Sequence, residues 1–334
     1  MFLNGIYALA QEYLFHEIRA FTLPNAPVLG NPAMICFIDE FPEHSVMEES
    51  ARILNSPMTS FVRRTNDPHI FEIRHFSPDG KENHVCGHAT VAASELLAQL
   101  NPELRNGVEI EFRLNPKYAI NKNNAFYVEI NGANISLIMP AVVEMQAVTD
   151  PEFYAQLVDA LGIPEDKIIY PAYFAPRIIN YVVEIADEKT LLSMQPDFAK
   201  LKALALSKEF PHEGIMATAK SETQGYDILT RVFLPVIDVD EDIACGSSNC
   251  SVIPYWTLLR PGVFPEDQNN FNVLFPYPPS LDSGKVGGVQ HLSINANTQA
   301  IMLTGQATKC REVKLTIEKK ANKNPPPPQI SKGP

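Results

Sequence analysis

The chain is short of the features that would name a function directly. Its 334 residues include one tryptophan and five cysteines, Cys36, Cys86, Cys245, Cys250 and Cys310. An odd number of thiols at irregular spacings excludes a disulfide framework and reads as reduced cysteine in the cytoplasm. No apolar run approaches the roughly 20 residues that a bilayer span requires, so no membrane partner is expected. Met1 to Leu14 is apolar but lacks a basic start and a small-residue cleavage site, and it carries Glu12, so it does not read as a signal peptide. Positive charge is scarce: 27 Lys and Arg stand against 39 Asp and Glu, for a net charge of −12. That balance argues against a nucleic-acid partner, whose phosphates are held by clustered Lys and Arg. There is no Gly-rich phosphate loop and no Cys/His cluster at zinc spacing, so neither a cofactor nor a metal is expected.

What remains is a globular composition, 45% hydrophobic and 20% charged, at a length that suits two domains. Residues 1–14 read as a short helical extension, and Phe15 to Phe21 alternates as a half-buried strand does. A strand follows at Met34–Ile38. A helix spans His44–Leu54 and is ended by Asn55-Ser56-Pro57. Thr59–Val62 and His69–Phe76 read as strands, then a helix runs from Cys86 to about Leu100. Gly107–Leu114, Tyr118–Asn121, Ala125–Ile130 and Ser136–Met139 form a meander with an Asn131-Gly132 turn. Pro140 marks the expected boundary between an N-terminal domain, 15–140, and a C-terminal domain, 141–310.

Beyond Pro140 the pattern predicts helices at Pro151–Leu161 and Glu188 to about Leu206. Strands are expected at Ile178–Glu184, Gly214–Ala217 and Tyr226–Pro235, an acidic loop at Asp238–Asp242, and a second helix opened by Cys245. Strands at Gln290–Ala296, Ala300–Gly305 and Arg311–Ile317 close the fold, the last of them returning to the N-terminal domain. Residues 324–334, with four consecutive prolines, read as a disordered tail. Each half thus contains strands, a Cys-Gly helix start and more strands. This favours two related α+β domains over a doubly wound parallel sheet.

The two Cys-Gly steps carry the functional reading. A helix N-terminus presents free backbone N–H groups and a partial positive charge, which favour a thiolate and can hold a carboxylate. Two such sites facing one another could remove a proton from a carbon on one face and return one on the other. Taken singly, a cysteine is more often a small buried hydrophobe, and Cys36, Cys250 and Cys310 are read that way. His88 is either a helix-start residue or a donor to a substrate oxyanion. Asp242 is either a cap or a general base that also orients substrate. Asn31, in Gly-Asn-Pro, either fixes a turn or offers its amide to the cleft. His69, His75 and His84 read as packing or surface residues.

The segments Gly30-Asn31-Pro32-Ala33, Asn55-Ser56-Pro57-Met58-Thr59, Phe76-Ser77-Pro78 and Cys86-Gly87-His88-Ala89-Thr90 resemble the PhzF-like, phenazine-biosynthesis family. Arg231-Val232-Phe233-Leu234-Pro235, Glu241-Asp242, Gly246-Ser247 and Pro254-Tyr255-Trp256 continue the resemblance, which covers residues 15 to about 317. It implies the diaminopimelate-epimerase fold, in which two pseudo-symmetric α+β domains each wrap strands around a central helix. It also implies cofactor-independent proton transfer on a small carboxylated substrate, in a homodimer. Two departures from the family pattern stand out. Met58 occupies the place of the family's catalytic Glu. Cys245 stands where the family has Thr and where diaminopimelate epimerase and proline racemase carry their second catalytic thiol, with Cys86 matching the first.

The resulting expectation is an amino-acid-type racemase or epimerase with Cys86 and Cys245 as an acid/base pair. Asp242 and His88 complete the catalytic set, and Asn31, Gly87, Gly246, Ser247 and Thr59 bind substrate. A PhzF-like isomerase working through Asp242 and His88 is the alternative. A catalytically inactive member that binds a small ligand is the third reading, for which Met58 is the support.

Overall fold

The helix over Gly87–Leu100 is buried on every face, and a helix of that kind needs a partner all the way round. A computed structural model describes residues 10–23, 28–83, 86–117, 124–207, 209, 211–276, 286–295 and 298–318, and in it a ring of strands supplies that partner. In chain order the first half contains β1 (Ala10–Thr22), β2 (Asn31–Ile38), α1 (His44–Leu54), β3 (Thr59–Arg64), β4 (Ile70–Phe76) and β5 (Glu82–Asn83). It continues with α2 (Gly87–Leu100), β6 (Asn106–Arg113), β7 (Ala125–Asn131) and β8 (Asn134–Pro140). The second half contains β9 (Gln146–Val148), α3 (Pro151–Leu161), β10 (Ile168–Ala175), β11 (Asn180–Ile185), α4 (Glu188–Ser193) and α5 (Phe198–Ala205). Then come β12 (Gly214–Lys220), β13 (Ile228–Leu234), β14 (Val239–Asp242), α6 (Asn249–Pro254), β15 (Asn270–Pro276), β16 (Val286–Asn295) and β17 (Ala300–Glu318).

The pairing β1–β2–β3–β4–β6–β7–β8 runs on through β17, which pairs with both β8 and β1 and so closes the ring. Inside it, α2 is buried from Gly87 to Ala98, and Ala89, Val91, Ala92, Ala93 and Leu96 sit in the largest apolar core. The second half repeats the plan. β2 and β3 are parallel across α1, as β11 and β12 are across α4 and α5. β4 and β6 are parallel across α2, as β13 and β15 are across α6. β5 and β14 are the matching short strands that lead into the two Cys-Gly steps. The protein has the mixed α+β, diaminopimelate-epimerase-like architecture that the sequence predicts.

The local chemistry explains the boundaries. α1 ends where Asn55 takes the left-handed conformation ahead of Pro57, and α3 starts on an Asp150 cap with Pro151 and stops at Gly162. Several expectations need correction. Residues 10–14 are not helical; they extend β1 and pair with β17, while residues 1–9 lie outside the described set. The single helix expected over Glu188–Leu206 is two, because Pro196 cannot continue α4 and Asp197 caps α5 anew. Asp238–Asp242 is mostly strand, since Val239–Asp242 pairs with β13. Ala300–Gly305 and Arg311–Ile317 are one continuous strand of 19 residues. The Tyr118–Asn121 strand and the 324–334 tail fall outside the described residues. Among the described residues, no helix is long and apolar enough to cross a membrane.

One ion pair fixes β14 and hence Asp242. Arg231, only 2% exposed, bonds both oxygens of Glu241 at 2.7 and 2.8 Å and donates to the carbonyls of Leu191 and Met194. Arg74 grips Glu82 on β5 in the same bidentate way, at 2.8 and 2.7 Å. Removing Arg231 strands a buried carboxylate and two carbonyls. Arg231→Ala is therefore expected to cost about 3–5 kcal/mol of stability in urea unfolding, and a loss below about 1 kcal/mol would contradict this account.

Candidate active site

The two Cys-Gly steps meet back to back. A Cβ built on Gly87 would lie 3.1 Å from the Gly246 Cα, and one on Gly246 would lie 3.1 Å from the Gly87 Cα. Only residues without side chains allow the two turns to approach so closely. The contact forms the floor of a cavity of about 330 Å³, lined by Cys86, Gly87 and His88 from the first half and by Asp242, Cys245, Gly246 and Ser247 from the second. Seven of the nine site residues read from the sequence are brought together there.

The surroundings of the thiols are similar but not equal. Cys86 caps α2 from an extended conformation, and its sulfur lies 3.4 Å from His88 Nδ1. Cys245 does not open its helix directly; a turn over Gly246–Ser248 intervenes and α6 begins at Asn249. Its sulfur is 3.4 Å from the Ser247 hydroxyl, so Ser247 holds the place opposite Cys245 that His88 holds opposite Cys86. Pro254 sits inside α6, and the chain widens into a π-type turn through Leu259.

The sequence suggests lowered thiol pKa values, and the burial of both sulfurs corrects this. Burial pushes Cys86 well above the ordinary thiol value, with the Asp242 charge adding to the effect, while the Ala89 and His88 backbone N–H groups pull it down. Cys245 is likewise pushed up by burial and then by Asp242, and the Ser247 hydroxyl and Ser248 N–H oppose the rise. Desolvation of a thiolate at these buried positions outweighs the helix-start donors. Burial also lowers His88 to about 4, so its imidazole is neutral at pH 7.

Asn31 and Thr59 do not line the cavity. Asn31 is fully buried behind Asp242, to which its amide donates, and it also donates to the Ala244 carbonyl at 3.0 Å. Thr59 is buried and sits at the start of β3 directly opposite Met34 and Phe76, which belong to the apolar cluster beneath α1. The next residue, Ser60, faces the other way and bonds His75 Nδ1 at 2.8 Å. Strand alternation thus turns Thr59 from the cavity. Met58, one residue earlier, does line it and presents an apolar thioether. His75 is the buried packing residue expected, His69 is exposed, and His84 lies outside the described residues.

Sequence reasoning passed over four polar lining residues: Asn83, Arg177, Asn180 and Glu213. Asn83 had a signal, since it precedes Cys86 by three residues as Asp242 precedes Cys245, at the end of the matching short strand. Arg177 and Asn180 flank the β10–β11 turn, in which Ile179 is held at φ +51°, a strained value for a β-branched residue. Cys250, read as structural, also reaches the cavity wall. Among the described residues, no group of three or more His, Cys, Asp or Glu side chains is placed to hold a metal ion.

The fold and this paired site define the class, and comparison with known proteins gives the family. The family model described as "Phenazine biosynthesis-like protein" matches residues 18–312, and the chain belongs to that PhzC/PhzF family. An uncharacterized isomerase of Halalkalibacterium halodurans is 29% identical over 292 residues, covering 87% of this chain and 94% of its own. An uncharacterized isomerase of Pseudomonas aeruginosa is 31% identical over 242 residues, covering 72% of this chain and 80% of its own. Among solved structures, a PhzF-family protein of Enterococcus faecalis superposes with a TM-score of 0.70 at 23% identity, covering 91% of this chain and 99% of its own. A hydroxyproline epimerase of Agrobacterium vitis, with trans-4-hydroxy-L-proline bound, has a TM-score of 0.51 at 11% identity, covering 92% of each chain. The protein is an enzyme of the isomerase kind.

Proposed function

We propose that the protein is a racemase or epimerase that moves the α-proton of a small amino-acid-like carboxylate, with Cys86 and Cys245 as its acid/base pair and no cofactor. The observation that carries this reading is that two thiols from matching positions in the two halves line one cavity over a glycine–glycine floor. In this reading one sulfur, as thiolate, takes the α-proton and becomes a thiol. The other thiol gives its proton to the opposite face of the carbanion and becomes the thiolate, and the roles reverse for the back reaction. Backbone N–H groups at Gly87-His88 and Gly246-Ser247 hold the carboxylate and the charge that spreads onto it. A substrate ammonium beside Asp242 neutralises a charge that pushes both thiols up, so binding itself eases formation of the thiolate. Cytoplasmic location and a homodimeric state belong to the same reading.

A second reading rests on the raised thiols. If both stay protonated, Asp242 and the neutral His88 imidazole, which line the cavity beside the two Cys-Gly steps, are left to accept the proton, as in a PhzF-like isomerase. Heavy water separates the two. Deuterium is expected at the α-carbon of an amino acid from a broad panel, read by NMR. The two-thiol reading is abandoned if Cys86→Ala and Cys245→Ala both still invert the α-carbon at close to the wild-type rate while Asp242→Asn abolishes exchange.

A further inference from the structure

The segment that joins Asp242 to Cys245 is held from the other half of the molecule. Asn31 sits at the start of β2, and its amide nitrogen donates to Asp242 Oδ1 and to the Ala244 carbonyl, the latter at 3.0 Å. Both partners are acceptors, so the NH₂ group must face them, and a flipped amide would set oxygen against oxygen. The Asn31 carbonyl oxygen is buried and unbonded. The Ala244 N–H closes the turn by donating to the same Asp242 oxygen at 3.3 Å.

The packing around this bond is tight on both sides. Gly30, at φ +71°, donates its N–H to the Gly287 carbonyl on β16 at 2.7 Å. A Cβ on Gly287 would lie 2.6 Å from the Ile243 carbonyl oxygen, and one on Gly288 would overlap the Ala244 side chain. Ile243 and Ala244 are thus pressed between two glycines of β16 and the Gly30-Asn31 turn. Asn31 itself is fully buried and does not line the cavity.

We infer that Asn31 is a positioning residue: it fastens the Asp242–Cys245 segment across the two halves and does not touch substrate. The inference adopts the two-thiol reading for what the segment does, while the fastening itself concerns only where Cys245 is held. Cys86 is anchored separately, by α2 and His88.

The test compares the full-length protein with Asn31→Ala by iodoacetamide alkylation, following each cysteine-containing peptide by mass spectrometry, and by steady-state exchange. Loss of the fastening should speed Cys245 alkylation about tenfold or more through local opening, with Cys86 changed less than about twofold. Exchange kcat should fall by about 10- to 100-fold, the scale of a misplaced catalytic group, with KM within about threefold. If Asn31→Ala does not fold, Asn31→Leu keeps the volume, removes the same amide and adds no charge beside Asp242, and it is read the same way. A raised KM with unchanged alkylation of Cys245 would make Asn31 a substrate ligand and overturn the inference. Equal acceleration of both thiols would also overturn it, as general loosening. Should no amino acid exchange in the wild-type protein, the proposed function fails, and the alkylation ratio still decides the role of Asn31.

Discussion

Cys86→Ala and Cys245→Ala are each expected to lower the rate of racemisation by about 10²- to 10⁴-fold, the range for loss of a positioned acid or base. The two losses should not add, because each thiol is useless to the round trip without the other. The variants differ in what they retain. In the two-thiol reading a protein with one sulfur still holds a carboxylate at two sets of backbone N–H groups, so KM should change little. It can also still remove a proton on one face and return deuterium there. Each variant is thus expected to exchange slowly with retention, one enantiomer for Cys86→Ala and the other for Cys245→Ala. Chiral chromatography with mass detection checks this. Matching stereochemistry in the two variants would show that the sulfurs do not address opposite faces.

Stability should fall on both sides of neutrality, and buried groups in and around the site set the windows. Burial lowers both His75 and His88 from 6.5 to about 4. A depressed value means that the fold favours the neutral ring. The stability this contributes is present above pH 6.5 and is lost as the pH falls towards 4. On the alkaline side Cys36 and Cys250 are raised by burial from 9.0 to about 12, and Cys86 and Cys245 are raised too. For these groups the sign is opposite: their contribution is intact below pH 9.0 and is lost as the pH climbs towards 12. Urea midpoints measured across the range should trace a dome. His75→Phe should flatten its acid limb, since one of the two buried imidazoles is gone. An acid limb unchanged in that variant would mean that His75 does not carry the linkage.

The sequence made some of these parts readable and hid others for definite reasons. α2 was plain because its apolar residues occupy every face and its start is marked by Cys86-Gly87. α1 and α3 carried their stops and caps in neighbouring residues. β10 was missed because Pro171 breaks its pattern and its pairing with β11 shifts register between Ile169 and Tyr173. β14 was missed because a strand of four residues reading Val-Asp-Glu-Asp is acidic, and only Arg231 on the next strand makes Glu241 acceptable there. The thiols and their neighbours could be named from motifs. Their burial could not, so the direction of the thiol shifts came out reversed. Motif position points Thr59 and Asn31 at substrate, but the face each presents depends on pairings with distant strands.

The glycine–glycine floor has a consequence for how this enzyme can change. The two Cys-Gly turns touch through main-chain atoms, and no side chain at Gly87 or Gly246 can be resized to alter that contact. The cavity lining also includes Met58, Met139 and Met216, flexible thioethers that readily accommodate new shapes. The approach of the two turns and the shape of the cavity are therefore heritable separately. A lineage, or a designer, can reshape what the cavity accepts one methionine at a time while the contact between the two turns passes on unaltered.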